Sequence, residues 1–382
     1  MVFADARSAD RSYQFQATLT FEGTLDAGAL RRALDAVITR HEIFRTTFPA
    51  VDGAPVSRVE PAAAAVMDVI DVSGDMEDVA GATDRAIAAA LARPFDMRQL
   101  PLVRWTLVRV SRVCHVLVHV EHHLVHDGWS FNVFLEELTL LYRAFAAGSA
   151  PKLQDAPAFS EFARRQRRLA ETPAAAEQLA YWKRQLAGAP ALLALPTDKR
   201  RPRVLTHAGD AIALELPRPI VRGIERLSRE HAATPFMTMF AAFSALLARY
   251  SSQNDICVGT GVAGRDAAQT ERLIGMVVNT IVLRVDLSGD PTFVELLERV
   301  KSVAFDGYAH QQTPLERVVE AVAPVRDPSF NPLFSVLFSF HDSKEPELDF
   351  AGVSATLDRT LHNASSKMDL NVVGIPRGDG MI

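Results

Sequence analysis

Residues 113–138 read VCHVLVHVEHHLVHDGWSFNVFLEEL. Five of the chain's 11 histidines fall here within twelve residues, followed by Asp127-Gly128 and a run with helical spacing. The leading VCHVLVHV is β-branched and strand-like, which puts His115, His119 and His123 on one face and His122 on the other. After Gly128 the apolar positions Phe131, Phe134, Leu135, Leu138, Leu141, Tyr142 and Phe145 keep the spacing of an amphipathic helix for about four turns. Strand, Asp-Gly turn and helix together place a titratable imidazole at a sheet edge.

Working outward, YQFQATLTFEG (13–23) reads as a strand closed by Gly23. Asp26 is an N-cap candidate for the helix AGALRRALDAVITRHE. DRAIAAALARPF has helical spacing, and PLVRWTLVRV pairs naturally with RVCHVLVHVEHH as adjacent strands. Residues 148–159 and 187–209 are rich in Pro and Gly and read as linkers, with a helix ending at YWKRQLAG between them. The second half repeats the mixture. Strands are expected at GDAIALEL, DICVG, VNTIVLRVDL and LFSVLFSF, and helices at RGIERLSREHAA, TPFMTMFAAFSALLARY and FVELLERVKSVAFDGYAH. The fold class is α+β, in two halves joined near residue 175, 1–175 and 176–382.

A net charge of −5 from 41 basic and 46 acidic residues gives no reason to expect nucleic acid or an anionic membrane as partner. Two isolated cysteines, Cys114 and Cys257, argue for a reducing compartment and against a disulfide framework. MVFADARSADRSYQ lacks the basic and apolar regions of a leader, and FMTMFAAFSALLA is too short to span a bilayer and reads as a buried helix. A cytoplasmic protein is expected. Lys199, Arg200, Arg201 and Arg203 read as a solvated loop.

Three chemistries fit the histidine cluster. His122 and His126 have the i, i+4 spacing of zinc ligands, but that spacing works on a helix, and the glutamate expected between such ligands is replaced by Leu124-Val125. Ser130 with a histidine and Asp127 suggests a hydrolase, yet no Gly-x-Ser-x-Gly elbow occurs, and Ser130 suits a helix cap. General acid–base chemistry needs only an imidazole of ordinary pKa (~6.5) at the strand end. Asp127 then holds the turn by capping the helix or pairing with an arginine, and Gly128 permits a backbone conformation and close approach that a side chain would block. The bland reading, polar fillers at a sheet edge, suits His115 and His119. Gly259-x-Gly261-x-x-Gly264, with Asp286 about 20 residues on, imitates a dinucleotide fingerprint. Arg265-Asp266 follow at once where a helix is required, and Gly275 interrupts the next segment.

HHLVHDG (122–128) resembles the His-His-x-x-x-Asp-Gly signature of condensation domains of nonribosomal peptide synthetases. RHEIFRTTF (40–48), RPFDMRQLPLVR (93–104), YWKRQLAG (181–188), GTGVAGRD (259–266), LIGMVVNTIVLR (273–284), HQQTPLERVV (310–319) and NPLFSVLFSF (331–340) follow in that family's order, so the resemblance runs from Tyr13 to Asn371.

The resemblance implies two chloramphenicol-acetyltransferase-like halves forming a V, with a tunnel between them. The implied reaction joins a carrier-bound acyl or peptidyl thioester to the amine of a carrier-bound aminoacyl acceptor. His123 carries over as the catalytic residue and Gly128 as an oxyanion contact. Asp127 carries over as structural, with Arg45 the first expected partner and Arg265 the second; His122 orients the loop, and His126 fills a variable position. No cofactor or metal is implied, since the substrates ride on phosphopantetheine arms of donor and acceptor carriers. An adjacent adenylation domain and a monomeric state are expected. The usual opening helix and closing strands of the family are not seen, so the chain reads as truncated at both ends. The double histidine excludes the heterocyclising branch, and Trp129-Ser130 leans toward an L-donor or fatty-acyl starter type. A stand-alone acyltransferase using coenzyme A thioesters and a non-catalytic carrier-docking module are the alternatives.

Overall fold

The computed structural model describes residues 11–75, 77–265, 267–341, 346–377 and 380–382. Most of the stretch read for a leader, Asp266 beside the glycine-rich run, and Gly378-Asp379 lie outside them. In chain order the main elements are β1 (Gln14–Glu22), α1 (Ala27–Arg40), β2 (Met67–Asp71), α2 (Val79–Ala92), β3 (Val103–Arg109), β4 (Cys114–His122), α3 (Gly128–Ala146), α4 (Phe159–Ala170), α5 (Pro173–Gln185), α6 (Arg218–Glu230), α7 (Pro235–Ser251), β5 (Asp255–Val262), β6 (Asn279–Asp286), α8 (Phe293–Ala309), α9 (Leu315–Val322), β7 (Val336–Phe340), β8 (Ser354–Asp358) and β9 (Leu370–Gly374). The fold is mixed α+β. Two compact units form, the first within Met1–Arg165, Arg265–Val277 and Lys344–Ser365, the second within Gln166–Gly264, Val278–Ser343 and Ser366–Ile382.

The first unit is built on a sheet in the order β8-β1-β4-β3-β2, antiparallel except for the β2–β3 pair. Helices cover both faces. Leu117 of β4 joins Leu19 and Phe21 of β1 and Trp105 and Leu107 of β3 in a core with Leu30, Leu34, Val37 and Ile38 of α1 and Phe131, Phe134 and Leu138 of α3. Val116, Val118 and Val120 point the other way, against Ala86, Ala90 and Leu91 of α2. Burial on both faces explains why β3 and β4 read as nearly continuous apolar runs. Each fully buried Leu or Phe here stabilises the unit by roughly 1.5–3 kcal/mol. Asp26 starts α1 as expected, accepting the Ala29 amide at 2.9 Å.

Two readings of this region change. β4 lies between β1 and β3 and is not a sheet edge, so His115 and His119 are interior residues. The ladder ends at His122 ↔ Gln14, so His123 opens the turn instead of continuing the strand's alternation.

The second unit holds the sheet β6-β5-β7-β9. Its core joins Val258, Leu283 and Phe338 of the sheet to Phe236 and Phe240 of α7 and Leu297 and Val300 of α8. The glycine-rich run is part of this sheet: Gly259 and Gly261 lie within β5, and Gly264 follows in a loop at φ +64°. A Cβ at Gly259 would stand 2.4 Å from the Phe334 ring, so this glycine serves close packing. No helix starts at the third glycine; the next is the single turn Ala268–Glu271.

GDAIALEL does not form the expected strand. Only Leu216 makes a bridge, to Met381, and Ile212 and Leu214 are exposed. Alternation signals a strand when one face is buried, and here neither residue is. Of the basic cluster, Arg201 pairs with Asp369 and donates to Ser329 O at 3.0 Å, while Lys199, Arg200 and Arg203 are exposed. Among the described residues no single helix is long and apolar enough to cross a membrane.

Candidate active site

β4 delivers the histidine cluster and α3 receives it. The His122 backbone N–H donates to Leu102 O at 2.9 Å, and that of His123 to Tyr13 O at 2.7 Å, which anchors the start of the turn to the neighbouring segments. The His122 ring lies between Tyr13 and Phe95, and its Nδ1 accepts the Leu124 amide at 3.1 Å. A neutral His122 therefore carries its proton on Nε2. The His123 side chain is half-buried. The His126 ring is stacked on Phe15, with Nδ1 2.6 Å from Glu121.

Asp127 caps α3, accepting the Ser130 amide at 2.8 Å. Its carboxylate is otherwise saturated by Arg265 Nη2, which donates at 2.9 Å to each oxygen, and by the Val277 amide at 3.0 Å. Both partners are almost fully buried. Burial pulls the Arg265 guanidinium below its ordinary pKa, and the Asp127 carboxylate opposes that. Arg265 also donates to the carbonyls of Thr270 and Leu273, so one guanidinium ties the 265–277 segment to the head of α3.

Arg45, the first expected partner of Asp127, is placed differently. It lies in a short turn after α1 and donates to the carbonyls of Glu60 and Pro61. Those acceptors close the small ladder of 46–47 with 58–59, and the arginine on Asp127 is Arg265. The residue of the RHE segment that reaches α3 is His41, whose Nε2 is 2.9 Å from Glu137 Oε2, with Arg40 Nε at 3.1 Å. Burial alone would raise the Glu137 carboxyl, but His41 and Arg40 outweigh it and hold it at about 2.

Ser130 is not the helix cap and not placed as a nucleophile. Its Oγ donates to Asp127 at 2.7 Å or to Gly275 O at 2.9 Å, and it accepts from the Gly275 amide at 3.1 Å and from Arg265 at 2.9 Å. Gly275 is there for fit: its φ is +150°, and a Cβ would lie 2.3 Å from the Phe159 ring. Gly128, by contrast, is the exposed first residue of α3, has no positive φ, and a Cβ there would meet nothing within 4 Å. The helix does not need glycine at this position. Its amide belongs to the first turn, which has no intrahelical acceptor.

Sequence reasoning overlooked Glu121 and Glu137, and it read Ser130 as a helix cap. The signal was available for the first two, because a charged residue inside a central strand or on the apolar stripe of a helix demands a buried partner.

The mixed α+β fold thus carries the His-His-x-x-x-Asp-Gly stretch at a strand end and helix start, with its aspartate locked by Arg265. A family model described as Condensation domain matches residues 1–382. A linear gramicidin synthase chain of Brevibacillus parabrevis is 41% identical over 372 residues, and the match spans 97% of this chain but only 7% of that much longer protein. The X-domain from teicoplanin biosynthesis superposes with a TM-score of 0.89 at 26% identity, covering 98% of this chain and 85% of that one. The first condensation domain of the calcium-dependent antibiotic synthetase gives 0.80 at 22% identity, with coverage of 98% and 85%. The chain belongs to the condensation domain family. Condensation domains of nonribosomal peptide synthetases form amide bonds, an acyltransferase type of chemistry.

Proposed function

We propose that the chain condenses a carrier-bound acyl or peptidyl thioester donor with a carrier-bound aminoacyl acceptor, using His123 as its catalytic group. The observation that carries this reading is the Asp127–Arg265 lock, which fixes the start of α3 directly after His123. The acceptor amine attacks the thioester carbonyl, the carbonyl oxygen gains negative charge, and the carrier thiolate leaves. His123 orients the amine and takes its proton. The Gly128 amide, at the positive end of α3, is suited to receive the oxyanion, and the open space beside its Cα leaves room for the thioester.

Donor and acceptor substrates arrive on phosphopantetheine arms of two carrier proteins, with an adenylation domain next to this one in the full synthetase. The domain works as a monomer in the cytoplasm, without nucleic acid, membrane, metal or a cofactor of its own. The sequence halves 1–175 and 176–382 are acetyltransferase-like in origin, and the donor is an L-configured or fatty-acyl group.

Turnover with two loaded carriers, compared with coenzyme A thioesters and a free amine, tests the proposal. Product from carriers alone supports it. Product from coenzyme A thioesters alone would make the chain a stand-alone acyltransferase, and carrier binding without product a docking module.

A further inference from the structure

Glu121 is one of the most deeply buried carboxylates in the first unit and takes no part in the chemistry above. It ends the inward face of β4, directly opposite Phe15 of β1. Two imidazoles converge on one oxygen: His119 Nε2 at 3.0 Å and His126 Nδ1 at 2.6 Å from Oε1. Burial alone would raise the Glu121 carboxyl, and the neighbouring His126 and His119 pull it the other way, to a net lowering.

One hydrogen bond in this group fixes the tautomer of His119. Trp105 Nε1 can only donate, and it donates to His119 Nδ1 at 2.8 Å. The single proton of His119 therefore sits on Nε2, facing Glu121. The buried His119 ring packs against Phe131 and Phe134. His126 Nδ1 stands in ion-pair range of the same Glu121 oxygen, at 2.6 Å. The His126 ring is clamped face-on against Phe15, with centroids 4.3 Å apart and planes at 22°, and edge-on against Phe131. Its remaining ring neighbour is His123, at 6.1 Å between centroids and nearly perpendicular.

We propose that Glu121 and His126 are positioning residues for His123: the buried carboxylate fixes the Nδ1 proton and ring plane of His126, and the polar edge of His126 sets the His123 imidazole. This rests on the assignment of His123 as the catalytic group. A carboxylate orienting one imidazole that in turn orients another explains why a central strand carries a buried charge and why position 126 holds a histidine. A rigid neighbour matters because a misplacement of about 1 Å can lower a rate roughly 100-fold.

The test uses the whole domain labelled with ¹⁵N-histidine, and two variants. Glu121→Gln keeps the shape and removes the charge. The double variant Glu121→Met with His126→Phe removes both polar groups of the proposed relay and keeps a ring on Phe15. Two-bond ¹H–¹⁵N spectra of the wild type should show a proton on His126 Nδ1, and the His123 ring nitrogens should shift in both variants. With the carrier-bound pair that the wild type turns over best, kcat of the double variant should fall about 10- to 100-fold with little change in KM. A lone proton on His126 Nε2, or a folded double variant with wild-type kcat, would overturn the proposal. His123→Ala is run alongside. Full turnover there removes the catalytic assignment itself, while the His126 nitrogen shifts still report on the brace.

Discussion

Arg265 Nη2 donates to both carboxylate oxygens of Asp127 at 2.9 Å, across 138 residues of sequence. With both groups buried, removing either leaves the other as an uncompensated charge, at a cost of roughly 3–5 kcal/mol. Asp127→Ala and Arg265→Ala should each lower the urea midpoint by that equivalent. Arg45→Ala, which loses only bonds to carbonyls near the surface, should cost about 1–2 kcal/mol. An Arg45 variant as unstable as the Asp127 variant would contradict the pairing.

Glu137 supplies a pH dependence of known sign. Its carboxyl is held at about 2, below the ordinary 4.5, by His41 and Arg40. A group depressed on folding stabilises the protein above its unfolded pKa, by about 3 kcal/mol here, and loses that contribution as pH falls from about 4.5 toward 2. Glu137→Gln should therefore be less stable at pH 7 and show a shallower acid slope across that window. Chemical denaturation at several pH values measures both. A parallel slope in variant and wild type would mean the carboxylate is not stabilised by its partners.

What the sequence made legible follows from period and local chemistry. The inward and outward sets of β4, the stripe on α1 and the Asp26 cap are local patterns, and each is present in the fold. The partner of Asp127 was not legible, because nothing local distinguishes Arg265 from Arg45; the choice is made by where 265–277 packs. Strands β8 and β9 were overlooked for a related reason. Ser354–Asp358 and Leu370–Gly374 are short, largely unburied end strands, so neither has a strong alternation, and each is defined by the strand it pairs with, β1 or β7. GDAIALEL failed in the opposite direction, with alternation and no buried face. The Glu121 network was hidden in plain view: its residues are spaced as a strand face should be, but which histidine shares its oxygen depends on the turn after His122.

Gly128→Ala separates fold from function. A Cβ there meets no atom within 4 Å, and alanine is better than glycine in a helix by up to about 1 kcal/mol, so the variant should be as stable as the wild type or slightly more so. If that open space receives the thioester, kcat should nevertheless fall at least about tenfold. Thermal melts and turnover on the same preparations decide this. An unchanged rate would place the reacting carbonyl away from Gly128.

His123→Ala should abolish amide formation and leave the domain folded. The backbone N–H of His123, which anchors the turn to Tyr13 O, survives the substitution, and the Asp127–Arg265 bonds are kept. The half-buried ring costs little to remove compared with the buried pair, so the melting temperature should drop less than in Asp127→Ala. Loss of a positioned acid–base group is worth roughly 100- to 10,000-fold in rate. The assay supplies both loaded carriers, with wild type and variant each run before and after exhaustive chelation. The wild type should keep its rate after chelation, because the thioester drives the reaction and the proposed site uses only imidazole, amide and alignment. A wild-type rate that chelation destroys and zinc restores would return His122 and His126 to consideration as ligands, and near-wild-type turnover by His123→Ala would remove the imidazole from the mechanism.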